Sequence, residues 1–86
     1  MKNIERIKEQ VSAIVVFKSE SFEQLREEYY DVTARIEDGL DRMKELNVFS
    51  DDEVKQVRDY AYELRHRRYH ECNRDIAAAL RGSFEF

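Results

Sequence analysis

The sequence contains no proline and no tryptophan, two glycines and a single cysteine. Without proline, and with so little glycine, the chain has few residues that would interrupt an α-helix. The lone Cys72 excludes an intramolecular disulfide and is typical of a reducing compartment. No run approaches the roughly 18 uninterrupted apolar residues of a membrane-spanning helix, so we expect no membrane association. The opening stretch, MKNIERIKEQ, lacks the apolar core of a secretory signal, which predicts a cytoplasmic protein.

Charge is plentiful but nearly balanced. Charged residues make up 40% of the 86 residues, yet the formal net charge is only -4. Its distribution is uneven, because residues 20–41 contain eight acids and two arginines, whereas residues 65–74 contain four arginines and one acid. Opposite charges attract, so we expect these two segments to face each other, within one chain or across a dimer.

The middle of the chain has the clearest helical pattern. Apolar residues recur at alternating steps of three and four from Phe22 to Leu46, which predicts a helix over about 21–46. Ser21 is the predicted N-cap, with Gln24 completing a capping box. Gly39 lies on the apolar seam of this helix, where a partner helix can approach closely.

The stretch NVFSDDEV marks the next boundary. Ser50 is the predicted N-cap of a helix over about 51–81, and Glu53 is placed to close its capping box. Gly82 is the predicted stop. A connection this short predicts an antiparallel hairpin. Arg68 falls in the middle of the apolar seam of this helix.

The first block places apolar residues at heptad spacing from Ile4 to Ile14, followed by the cluster AIVVF. This pattern predicts a shorter helix over about 3–17. Three thin helices bury little apolar surface, and a second copy would supply more. We therefore predict a single all-α domain over residues 1–86, completed as a homodimeric helical bundle.

A candidate metal site lies in the stretch ELRHRRYH. Glu63, His66 and His70 fall on one face of the predicted helix, where two imidazoles and a carboxylate can bind one divalent metal. Glu-x-x-His is also half of a di-iron carboxylate site, and a symmetric dimer would supply the pair twice. Against a metal, the neighbouring arginines crowd positive charge around an incoming cation.

The same helix has a basic face that predicts a second alternative, association with nucleic acid. Arginines alternate with Tyr62 and Tyr69, a pattern that suits phosphate contact and base stacking. The sequence pI of about 5.2 weighs against this interpretation.

Recognition of another protein is the function that the sequence favours. The chain has no glycine-rich phosphate loop and no Cys-His pair at useful spacing, so we do not expect an enzyme. Exposed tyrosines are enriched at interfaces, and two phenylalanines follow the predicted helix stop. We predict a cytoplasmic interaction module, a regulator or inhibitor of a protein partner, with no cofactor. Its predicted interaction surface is Tyr30, Tyr62, Arg65, Arg67, Tyr69, Arg74, Phe84 and Phe86.

Overall fold

The structure, a computed structural model, describes residues 4–82. These residues form three α-helices: α1 (Ile4–Ile14), α2 (Phe22–Leu46) and α3 (Asp51–Gly82). The described residues contain no strand, which confirms the predicted all-α class. The molecule is elongated, with principal extents of 58 × 19 × 16 Å. Within residues 4–82, each helix is too short or too polar to cross a membrane.

Serine side chains begin α2 and α3, as predicted. Ser50 Oγ accepts a hydrogen bond from the backbone N–H of Glu53 at 3.1 Å, and the Glu53 carboxylate accepts from the N–H of Ser50 at 2.8 Å. Ser21 Oγ accepts from the N–H of Gln24 at 3.2 Å. The Gln24 side chain returns to the N–H of Glu20 at 3.3 Å, one residue before the cap. In α3 the capping box satisfies the N–H groups of Ser50 and Glu53, whereas in α2 Ser21 satisfies the N–H of Gln24.

Asn47 ends α2, a role that the sequence analysis did not assign. Its backbone is left-handed, with φ 54° and ψ 31°, and its N–H donates to the carbonyl of Lys44 at 3.1 Å. Asparagine tolerates this conformation better than most residues, which suits it to a helix end. Residues 47–50 then connect α2 to α3.

The prediction for the first helix was too long. A helix was expected over about 3–17, but α1 ends at Ile14 and residues 15–20 are not helical. The β-branched residues of this segment favour an extended chain, and Val15 is fully buried. At the other end of the chain, α3 includes Gly82, whose φ is not left-handed, so the predicted glycine stop is not found there.

Arg68 stabilises the end of α1. Its guanidinium donates to the carbonyls of Ser12 and Val15, at 2.7 and 2.8 Å, and to Ser12 Oγ at 3.0 Å. The last carbonyls of a helix have no partner within it, and a cationic donor also complements the negative helix end. The arginine that interrupted the apolar seam of α3 therefore caps α1.

The core has two unequal parts. The larger cluster joins all three helices and includes residues such as Val11, Ile36 and Val57. It occupies what we call the loop end, because it contains Met43 and Val54 on either side of the loop. The smaller cluster has three buried residues and forms what we call the cysteine end: Leu25, Cys72 and Ile76.

Candidate functional site

Arg65 lies at the centre of the contact between α2 and α3. Its guanidinium carbon is 4.8 Å from the ring centroid of Tyr29 and 4.6 Å from that of Tyr62. Nη1 donates to Thr33 Oγ1 at 2.9 Å, whereas the buried Nε has no hydrogen-bond partner among the described residues. The Tyr62 hydroxyl donates to the carboxylate of Glu37. Two aromatic faces hold the guanidinium, which is a geometry that arginine favours.

The acidic and basic segments were predicted to face each other within one chain or across a dimer. Within the chain α2 and α3 do pack together, but the described side chains do not join them by ion pairs. Within residues 4–82, no ion pair joins an acid of α2 to an arginine of α3, and the observed pairs are Lys8 with Glu5 and Lys55 with Asp59. Glu28 instead accepts hydrogen bonds from the backbone N–H groups of Lys18 and Ser19 and from Ser19 Oγ. The arginines of α3 are consequently not committed to α2 carboxylates.

Tyrosine and histidine rings form a continuous edge-to-face network beside Arg65. The Tyr29 and Tyr69 centroids are 5.1 Å apart, and Tyr69 also contacts Phe17 at 6.0 Å and His70 at 5.5 Å. His70 in turn contacts His66 at 4.3 Å. Edge-to-face contacts at these distances are favourable, so the network fixes the relative positions of its rings.

A pocket of about 360 Å³ opens on this network, between the first half of α2 and the middle of α3. Arg26 and Tyr30 contribute from α2, and the histidines contribute from α3. Its lining residues are Arg26, Tyr29, Tyr30, His66, Tyr69 and His70. Tyr30 is 66% exposed, so the pocket is open to solvent. This pocket is the candidate functional site.

The structure brings together part of the predicted metal site. His66 and His70 are adjacent and both exposed, and Glu63 is exposed one turn earlier. Among the described residues, no group of three His, Cys, Asp or Glu side chains is arranged to hold a metal ion. Metal binding by Glu63, His66 and His70 stays a prediction.

The predicted interaction surface divides into several locations. Tyr30 and Tyr69 line the pocket, whereas Tyr62 and Arg65 form the stack beside it. Arg67 and Arg74 are exposed on α3 outside the pocket lining. Two predicted residues lie outside the described residues: Phe84 and Phe86.

Sequence reasoning missed Arg26 as a site residue. The signal was present, because Arg26 is one of only two bases among eight acids in residues 20–41 and lies one turn before Tyr29 and Tyr30. Counting the charges of a whole segment does not detect a single basic residue next to two aromatic residues on an acidic helix.

A second, apolar groove of about 480 Å³ lies at the loop end, between α1 and α2. Its lining includes Ile7, Ile14, Ile36 and Met43, and a Cβ built on Gly39 would have no neighbour within 4 Å. Leu46 at the groove and Val48 in the adjoining loop are 59% and 56% exposed. This surface is apolar and uncovered in the single chain.

Cys72 is buried at the cysteine end, with Sγ 3.6 Å from the carbonyl oxygen of Ser19. Burial raises the pKa of the thiol above its ordinary value, and the negative charges of Glu28 and Asp75 raise that pKa further. The thiolate is the nucleophilic form, so this environment makes Cys72 a weak nucleophile at neutral pH.

No protein-family model matches the chain, and neither a curated protein sequence nor a solved structure resembles it significantly.

Proposed function

We propose that this chain is a small cytoplasmic protein-interaction module, a regulator or inhibitor that acts by surface contact and not by catalysis. We further propose that it works as a homodimer, in which two antiparallel hairpins complete one helical bundle. The apolar groove at the loop end carries this proposal, because it leaves a continuous hydrophobic surface in contact with water.

The hairpin itself is supported by the contacts between α2 and α3. Tyr62 contacts Glu37, and Arg65 contacts Thr33. Further along α3, Tyr69 contacts Tyr29. Residue numbers rise on one helix as they fall on the other, which is the relation expected of antiparallel neighbours.

A second copy of the chain fits the groove by its charge pattern. Arg35, Asp38 and Arg42 lie along α2 at the groove, so that an acid is flanked by two bases. Two such edges meeting about a two-fold axis can place the acid of each copy beside a base of the other. Gly39 lies between them and allows the two backbones to approach closely.

Gly39 offers a sharp test of the homodimer. A Cβ at Gly39 meets no neighbour within 4 Å, so Gly39→Leu should stabilise the helix of the single chain by about 0.5–1 kcal/mol, because glycine is a poor helix former. The added side chain should nevertheless obstruct the second copy. Light scattering at micromolar concentration should give a dimer mass for the natural chain and a monomer mass for Gly39→Leu.

Ala34→Leu is the matched control, since Ala34 is exposed on the same helix and does not line the groove. It should leave the dimer intact. A monomer mass for the natural chain, or a dimer that tolerates Gly39→Leu as well as Ala34→Leu, would reject the proposed interface.

The metal-binding alternative has an independent test. If Glu63, His66 and His70 bind a metal, Zn²⁺ or Fe²⁺ should raise the melting temperature, because a ligand that binds only the folded state stabilises it. His66→Ala and His70→Ala should each abolish that rise. A melting temperature that metal does not change would reject this metal-site hypothesis.

A further inference from the structure

The pocket between α2 and α3 has the opposite electrostatic character from the protein around it. The chain has a net charge of -4, and α2 is rich in acids. Among the described residues that line the pocket, however, there is no carboxylate, and Arg26, His66 and His70 supply three basic groups. Tyrosine hydroxyl groups provide further donors at the same place.

Arg26 is exposed and has a free guanidinium group. No ion pair with another described residue involves it, although Glu23 and Glu27 are close to it in sequence. A planar guanidinium can donate two parallel hydrogen bonds to one oxyanion, and such charge-assisted bonds are about twice as strong as neutral ones. Arg26 therefore supplies the fixed positive charge of the pocket.

The two histidines add hydrogen-bonding groups beside Arg26. Their ring centroids are 4.3 Å apart, so both rings lie at the same wall of the pocket. An imidazole N–H can donate a hydrogen bond to an oxyanion. A phosphate monoester presents three terminal oxygens, so it can accept from Arg26 and from both rings, whereas a carboxylate presents two.

The size of the pocket indicates more than a bare ion. Its volume of about 360 Å³ falls near the lower end of the roughly 300–1,000 Å³ that is usual for small-molecule sites. Tyr29, Tyr30 and Tyr69 present ring faces and edges at this position. Aromatic rings prefer the stacked and edge-to-face contacts that such a wall offers.

We propose that this pocket binds a phosphate monoester carried on a single aromatic or heterocyclic ring, with Arg26, His66 and His70 contacting the phosphate and the tyrosines contacting the ring. Phosphorylated tyrosine carries its phosphate directly on such a ring, whereas the phosphate of a nucleotide is attached to the ribose and not to the base. The proposal does not depend on the homodimer, because the apolar groove lies at the loop end.

Phenyl phosphate is the direct probe, with inorganic phosphate and benzoate as its two controls. Titration followed by NMR should shift the imidazole C–H resonances of His66 and His70. Phenyl phosphate should bind about tenfold or more tightly than either control. Inorganic phosphate lacks the ring, and benzoate lacks the second negative charge. Equal affinity for phenyl phosphate and inorganic phosphate, or tighter binding of benzoate, would overturn the assignment, as would imidazole resonances that do not move.

Arg26→Gln should weaken phenyl phosphate binding by about tenfold or more, because it removes charge-assisted hydrogen bonds to the phosphate. Arg67→Gln removes the same charge from an exposed position beside His66 but outside the pocket, and should change affinity by less than about twofold. Circular dichroism verifies that both variants fold. Equal effects of the two substitutions would show general charge attraction and overturn the site.

A phosphotyrosine peptide and a nucleoside 5′-monophosphate then test whether the phosphate must be attached to the ring. The peptide should compete with phenyl phosphate for the His66 and His70 resonances, and the nucleotide should compete less well. If the peptide does not compete, or if the nucleotide competes better, the proposal is wrong.

Discussion

The loop end and the cysteine end of this molecule are stabilised by different chemistry. At the loop end, ten buried apolar residues pack together from all three helices. At the cysteine end, the buried residues among those the structure describes are Leu25, Cys72 and Ile76. Between them, Arg65 and Arg68 are partly buried, with Arg65 against tyrosine rings and Arg68 bonded to backbone carbonyls.

The difference explains where the candidate site lies. The described residues that are buried at the loop end are all apolar, so they offer a ligand no polar group. The middle of the molecule uses arginines and aromatic rings for its helix contacts, and the same residue types extend to the surface as the pocket. The helix contacts and the candidate pocket therefore share one continuous set of side chains there.

The largest expected effect compares the two cores directly. Ile36→Ala at the loop end should destabilise the fold by about 3–5 kcal/mol, because dense packing around a buried isoleucine resists collapse into the cavity. Ile76→Ala at the cysteine end should cost only about 2 kcal/mol, since a small cluster relaxes more readily. Chemical denaturation of both variants measures the difference. A larger loss for Ile76→Ala would reverse the ranking of the two cores.

The next prediction concerns Arg68, one of the two partly buried arginines between the two cores. Arg68→Met should cost about 2–3 kcal/mol, because the carbonyls of Ser12 and Val15 lose their charged donor. Hydrogen exchange should accelerate most in α1. Arg67→Met is the control, and at an exposed position it should change stability by about 0.5 kcal/mol or less. Uniform acceleration across all helices would show that Arg68 does not act through α1.

The outcome of the sequence analysis follows the same division. The starts of α2 and α3 were predictable because Ser21 and Ser50 act locally, through hydrogen bonds to residues three positions away. The end of α1 was not predictable, because its last carbonyls are satisfied by Arg68, which is 53 and 56 residues distant in sequence.

The site was predictable only in part for a related reason. Tyr69 and the two histidines stood out as a dense group on one helix. Arg26 and Tyr29 become part of the pocket only when α2 packs against α3. Charge counting predicted that the acidic and basic segments face each other, but it did not predict that Arg65 contacts aromatic rings and Thr33. Helix periodicity does not specify which groups a partly buried arginine contacts.

Arg65 provides a smaller effect with a distinctive salt dependence. Arg65→Lys keeps the charge but loses the planar stack, and should cost about 1 kcal/mol. That cost should be similar in low and high salt, because a partly buried stack is screened less than an exposed ion pair. Denaturation at two salt concentrations checks this, with Arg67→Lys as the exposed control. A cost that disappears in high salt would indicate that Arg65 acts through the carboxylates of α2.

The smallest effect is the pH dependence that Cys72 contributes at the cysteine end. Because its pKa is raised above the ordinary value of 9.0, the folded protein holds the thiol proton more strongly than the unfolded chain does. The resulting stability is fully present below about pH 9 and is lost as the pH rises through the pKa of the folded state.

Cys72→Ala should therefore flatten the decline in the free energy of unfolding above about pH 9, relative to the natural chain. The two chains should run parallel below that pH, offset only by the lost side-chain volume. Other groups titrate in the same range, so the difference between the two denaturation curves is the quantity to measure. If the curves stay parallel up to about pH 11, the thiol is not shielded from water and the cysteine end is more open than its contacts indicate.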